Sequence, residues 1–129
     1  MSYNYVIDTS AWYEYFTGTA KGIKVKPYIE QEEIATSIMA IAELADKFAR
    51  ENRKFDVMLK FIQRRAAILE LSVSLALKAA QLKKELRKER DKFSMADGVH
   101  LATTQQENAV LVTTDTDFSG IENVRLIWK

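Results

Sequence analysis

The sequence predicts an α/β fold in which a parallel sheet is covered by helices on both faces. Three observations carry that expectation. Short β-favouring runs alternate along the chain with segments whose apolar residues recur every three or four positions. The run Ala109-Val110-Leu111-Val112-Thr113 is apolar enough to be buried on both sides, as strands of helix-covered parallel sheets are. Glycine (4) and proline (1) are scarce, which argues against a sandwich of many short turns.

Taken in order, residues 3–7 form a strand closed by Asp8-Thr9-Ser10, three good N-cap residues that lead into a helix. Residues 17–22 are small and polar and read as a loop. Pro27 is placed near the start of a short helix that runs to about residue 33, a position where proline is tolerated. Residues 34–37 make a second strand. From Ile38 the apolar residues Ile38, Ile41, Ala42, Leu44, Ala45 and Phe48 have the spacing of an amphipathic helix. A charged turn, residues 50–54, separates it from a further helix marked by Phe55, Met58, Leu59 and Ile62. Residues 67–71 read as a third strand. Ser72 or Ser74 caps a long helix reaching about residue 91, and another helix covers about 95–107. Strands over 109–113 and 124–128 complete the pattern.

At 129 residues the chain has the size of one domain, expected to span residues 1–129. A hydrophobic share of 47% and a charged share of 29% are globular values. The net charge of +1 neither demands nor excludes a polyanionic partner, because a local patch matters more than a total. The absence of cysteine excludes disulfides and thiolate metal sites. The first residues lack the basic and apolar regions of a signal peptide, and no apolar run is long enough to span a bilayer. A cytoplasmic location is expected.

Function in an open parallel sheet collects beyond the C-terminal ends of the strands. Asp8 ends the first strand there, and Asp115 and Asp117 follow the fourth. Taken singly, each is equally well a turn or helix cap. Two helical acids join them. Glu43 and Asp97 point away from the apolar stripes of their helices, toward solvent or a cleft. Carboxylates held together repel unless a cation neutralises them. Hard divalent ions such as Mg²⁺ or Mn²⁺ suit oxygen ligands, and no cysteine or histidine cluster competes for the role. Such an ion activates water and stabilises charge at a phosphoryl centre.

At this point the residues resemble a known family, the PIN domains. Val6-Ile7-Asp8-Thr9-Ser10 is similar to the family's opening motif. Thr36-Ser37 with Ala42-Glu43-Leu44 resembles its second motif, Ser94 and Asp97-Gly98 with Leu101-Ala102 its third, and Thr113-Thr114-Asp115-Thr116-Asp117-Phe118 its fourth. The motifs occur in family order over essentially the whole chain. The resemblance implies a PIN-like three-layer α/β/α fold with a parallel sheet of about five strands. It also implies an acidic quartet of Asp8, Glu43, Asp97 and Asp115. Asp8, Asp97, Asp115 and Asp117 would hold Mg²⁺ or Mn²⁺, and Thr9 and Thr114 would be auxiliary hydroxyls. Chains of this length resemble the VapC toxins. These are RNA-cleaving endonucleases that dimerise and are silenced by a small VapB-like antitoxin. Gly98 departs mildly from the alanine common at its position.

Other features are read more plainly. Lys83, Lys84, Arg87, Lys88, Arg90 and Lys92 form the densest basic stretch, an RNA-steering surface or a solvated helix face. His100 is the only histidine and reads either as a proton-transfer group one turn from Asp97 or, as the commoner case, as a lone surface residue. Trp12, Tyr13, Tyr15 and Phe16 read as core or as a face covered by an antitoxin or a second copy. The competing readings are a PIN nuclease that processes RNA without being a toxin, a catalytically silent PIN scaffold, and a receiver-type signalling module. The last is disfavoured because the mid-chain strand ends without an aspartate and the late one without a lysine.

Overall fold

The computed structural model describes residues 2–128. The first half of the chain holds β1 (Tyr5–Ile7), α1 (Thr9–Thr17), α2 (Ala20–Gln31), β2 (Ile34–Ser37), α3 (Ile38–Arg50) and α4 (Asp56–Arg65). The second half holds β3 (Ala67–Leu69), α5 (Val73–Leu86), α6 (Met95–Gln106), β4 (Val110–Thr113), a 3-10 turn (Thr116–Phe118) and β5 (Val124–Leu126). The strands form one sheet in the order β3-β2-β1-β4-β5, and every pairing is parallel. Val6 in the centre lies opposite Ala35 on one side and Leu111 on the other.

Alternation along these strands makes two cores. Val6, Ala35 and Leu111 pack with Leu75, Ala79 and Leu82 of α5 and with Val99 and Ala102 of α6. Their neighbours Ile7, Ile34 and Val112 face the other way, against Trp12, Val25, Ile29, Leu44, Phe48 and Ile62 of α1 to α4. The chain builds one half of the sheet, β1 to β2 to β3, and then crosses to build β4 and β5 on the other. The C-terminal ends of β1 and β4 therefore meet at a topological switch point, where a crevice opens.

Several boundaries differ from those expected, each for a physical reason. The loop over 17–22 shrinks to Gly18 and Thr19. Gly18 caps α1 in the left-handed region (φ 69°), and the Thr19 side chain caps α2. Pro27 lies inside α2 on its exposed side, where water can serve the carbonyl left without a partner. On α3 the buried line is narrower than the apolar pattern, Ala40, Leu44 and Phe48, while Ala42 and Ala45 are exposed. α5 ends at Leu86 because the chain must turn to deliver Phe93 into the core, where it is fully buried. β3 and β5 are edge strands and end earlier than their apolar runs.

α6 is the central helix, buried continuously from Gly98 to Thr104. Gly98 is the point where it meets α5, since a Cβ there would lie 2.5 Å from the Ala79 carbonyl oxygen. The glycine is a packing requirement and not a mild departure. Gly98→Ala is expected to destabilise the protein by about 2 kcal/mol, although alanine gains about 1 kcal/mol in helix propensity. Denaturant titration would check the sign, and an equal or higher midpoint would contradict the contact.

Candidate active site

Each acid owes its place to a local rule of chain geometry. Asp8 follows β1 and is the N-cap of α1, its Oδ1 accepting from Ala11 N–H at 2.9 Å. Ser37 ends β2 and caps α3, which carries Glu43 in its second turn. Ser94 caps α6 in a capping box, with its hydroxyl on Asp97 N–H and Asp97 Oδ2 accepting from Ser94 N–H at 2.9 Å. Asp115 follows β4 and caps the 3-10 turn through a bond from Asp117 N–H to its Oδ1. Capping and function are therefore not alternatives here. Asp8, Glu43, Asp97 and Asp115 line one cleft of about 310 Å³ together with Thr9, Ser10 and His100.

The four acids sit in different electrostatic settings. Asp8 is 3% exposed, and both of its oxygens are engaged. Ser10 donates to Oδ1 at 2.8 Å and Thr113 to Oδ2 at 2.5 Å, while the Ala11 amide completes the set. Burial nevertheless pushes its carboxyl above the ordinary value, against the opposing pull of His100 and these donors. Glu43 behaves in the opposite way. Burial alone would raise it, but hydrogen bonds from His100 and Thr9 and the charge of His100 hold it below the usual carboxylate range. Asp97 is raised to about 6, first by burial and then by the nearby Asp115 carboxylate, with the Ser94 amide opposing.

Asp97, Asp115 and Asp117 each offer a carboxylate oxygen, and these atoms lie within 4.8 Å of one another. Three partly exposed carboxylates converging on one point, with no sulfur or nitrogen donor among them, form a donor set that fits a hard divalent ion such as Mg²⁺ or Mn²⁺. Asp97 and Asp115 each engage one oxygen in a capping bond, Oδ2 and Oδ1 respectively. Asp8 lies in the same cleft but outside this converging group, its oxygens being tied to protein donors.

Of the two auxiliary hydroxyls expected, Thr9 meets the site directly, donating to Glu43 Oε1 at 2.5 Å. Thr114 reaches it only through the backbone, its N–H bonding Ser10 Oγ at 3.0 Å. The hydroxyls that contact Asp8 belong instead to Ser10 and to Thr113, a buried polar residue ending an apolar strand that pairs with β1. Ser10 is a further site residue that pattern reading missed, and His100 is one that it weighed but placed at the surface. His100 is a correction: it is 2% exposed, because α6 is buried all round and not along one stripe. A charge-free stretch from Val99 to Gln106 was the available signal. Trp12 is core, donating to Thr36 Oγ1 at 3.0 Å. The basic stretch 83–92 does not line the cleft. Lys47 and Arg50 of α3 do.

Comparison with known proteins agrees with this architecture. A chain of a toxin–antitoxin complex from Klebsiella pneumoniae superposes with a TM-score of 0.77 at 20% identity, covering 98% of this chain and 99% of that one. A chain of VapBC2 from Rickettsia felis, bound to a promoter DNA fragment, gives 0.71 at 22% identity, covering 95% and 96%. Mycobacterium tuberculosis VapC20, described as a sarcin–ricin loop cleaving toxin, gives 0.71 at 17% identity, covering 95% and 99%. Among curated proteins no match is found. The PIN domain family model matches residues 5–124, nearly the full length, and the chain belongs to the PIN domain family.

Proposed function

We propose that the protein is an Mg²⁺- or Mn²⁺-dependent endoribonuclease, the toxin of a VapBC-like type II toxin–antitoxin pair. The observation that carries this reading is the cleft that Asp8, Glu43, Asp97 and Asp115 line at the strand ends, with Asp117 converging on Asp97 and Asp115. Asp97, Asp115 and Asp117 would hold the ion, whose chemistry when bound is to activate water and to stabilise charge on a phosphoryl group. Asp8 fixes the start of α1 against β4 and keeps negative charge at the floor of the cleft. Glu43, ionised and half open to the cleft, accepts a hydrogen bond from the attacking water and orients it.

RNA as substrate is supported by the cleft's composition. Lys47 and Arg50 follow Glu43 at one-turn spacing on α3 and line the same cleft, so cations flank the acids where the neighbouring phosphates of a strand would lie. Lys47 is braced 4.1 Å over the Tyr13 ring, and Arg50 pairs with Asp46 at 3.0 Å. The structural neighbours include toxin–antitoxin complexes, and one toxin is described by its RNA target. On that basis we expect a VapB-like antitoxin partner, a homodimer and a cytoplasmic location. No helix among the described residues is long and apolar enough to cross a membrane.

The test is cleavage of a mixed RNA pool with Mg²⁺ or Mn²⁺, with an EDTA control and the Asp8→Asn variant. Metal-dependent cleavage, abolished by EDTA and lowered at least about 100-fold in the variant, is the expected result. Intact RNA in every lane, from folded protein free of any partner, would favour the silent scaffold. Cleavage without growth arrest on expression would favour RNA processing over the toxin role.

A further inference from the structure

We infer that His100 is the positioning residue that sets the orientation of Glu43, an inference that rests on the nuclease reading above. His100 Nε2 lies 2.8 Å from Glu43 Oε1 and 3.2 Å from Thr9 Oγ1. Thr9 Oγ1 is itself 2.5 Å from the same glutamate oxygen. The three side chains come from three different helices, α6, α3 and α1, and meet at a single atom.

Counting protons assigns the roles. An ionised carboxylate has only lone pairs to offer, so both neighbours of Oε1 must donate. The Thr9 hydroxyl has one proton, and it points to Glu43. His100 therefore carries a proton on Nε2, directed at Glu43 and shared with the Thr9 oxygen. Two donors from two helices hold Oε1, while Glu43 remains part of the cleft wall. Its second oxygen is thereby aimed by the first.

The rest of the imidazole shows that packing does not require a histidine here. His100 is 2% exposed, and its Nδ1 has no hydrogen-bond partner among the described residues. Burying an unpaired polar atom destabilises a fold. An apolar side chain of similar size would fill the same space without that cost. Among the described residues the ring's hydrogen bonds lead to Glu43 and Thr9, so its polar function lies toward the cleft.

The experiment compares His100→Leu, His100→Gln and His100→Asn in RNA cleavage, with thermal unfolding of each. Glutamine can place an amide N–H where Nε2 stands. Asparagine reaches only the Nδ1 position, and leucine supplies volume alone. We expect His100→Leu and His100→Asn to lower kcat about 10- to 100-fold with KM little changed, the size typical of removing a group that orients a site residue. His100→Gln should recover to within a few-fold of wild type, and each variant should keep a cooperative unfolding transition. Long-range ¹H–¹⁵N spectra should show Nε2 protonated, with its resonance shifted by Glu43→Gln. Full activity in His100→Leu, glutamine no better than leucine, or an Nδ1–H tautomer would each overturn the inference. If wild type cuts no RNA, the nuclease reading fails, and the spectra still decide whether His100 positions Glu43.

Discussion

Asp97→Asn is expected to remove activity while making the metal-free protein more stable. Asp97 is one of the three converging carboxylates, and its capping bond to Ser94 engages Oδ2. The amide keeps a capping acceptor but loses the charge, so cleavage should fall about 100- to 1,000-fold. Stability should move the other way. The carboxyl is raised from 3.8 to about 6, first by burial and then by Asp115, so the folded state resists its ionisation. For a sealed group that shift would correspond to about 3 kcal/mol. Asp97 is partly open to water, and about 1 kcal/mol, or roughly 4 °C in Tm, is a better expectation.

The sign can be checked against pH. A carboxyl whose folded pKa lies above its unfolded value contributes stability that is fully present below the unfolded value. That contribution is lost as pH rises through the folded one. For Asp97 the window runs from 3.8 to about 6. Metal-free wild type should therefore gain stability relative to Asp97→Asn as pH is lowered from 7.5 to 5. Added Mg²⁺ should stabilise wild type by about 2.7 kcal/mol at one hundred times its Kd, and the variant far less. Thermal unfolding with and without EDTA measures all three effects. A variant that is less stable without metal, or that responds to Mg²⁺ as wild type does, would remove Asp97 from the ion site.

Most of the architecture was legible in the sequence because it follows from local rules. The alternation of apolar runs placed all five strands, and the N-cap residues Asp8 and Ser72 marked two helix starts. The acids were visible because each follows a strand or faces away from a helical stripe. What was hidden depends on contacts between elements. Thr113 reaches Asp8 only because β4 pairs beside β1. His100 is buried only because α6 is covered on every side, which no periodicity within α6 reveals. The setting of Pro27 was hidden because α2 begins at Ala20, well before it, and not near the proline itself.

Gly22 gives the largest structural prediction, and it is one of two glycines that pattern reading placed in a loop. In the fold it lies in the first turn of α2, buried against the end of α1. A Cβ at this position would sit 2.0 Å from the Glu14 carbonyl oxygen and 2.6 Å from its carbon. That oxygen cannot simply give way, because it accepts from the backbone N–H groups of Gly18 and Thr19 that close α1. Alanine must therefore drive α2 away from α1 and loosen the packing of Trp12, Val25 and Ile29 beneath them. Its helix-propensity gain of about 1 kcal/mol is small beside an overpacking cost at the top of the usual 1–3 kcal/mol range. We expect Gly22→Ala to lose about 3 kcal/mol, or roughly 10 °C in Tm. Gly18→Ala is the control. Its Cβ would meet nothing within 4 Å, so only the left-handed backbone, φ +69°, is strained, at about 1 kcal/mol. Denaturant unfolding of the pair decides the matter. If Gly22→Ala matched Gly18→Ala, or exceeded wild type, the close crossing of α1 and α2 would be wrong, and with it the placement of Thr9 and Asp8 at the mouth of α1.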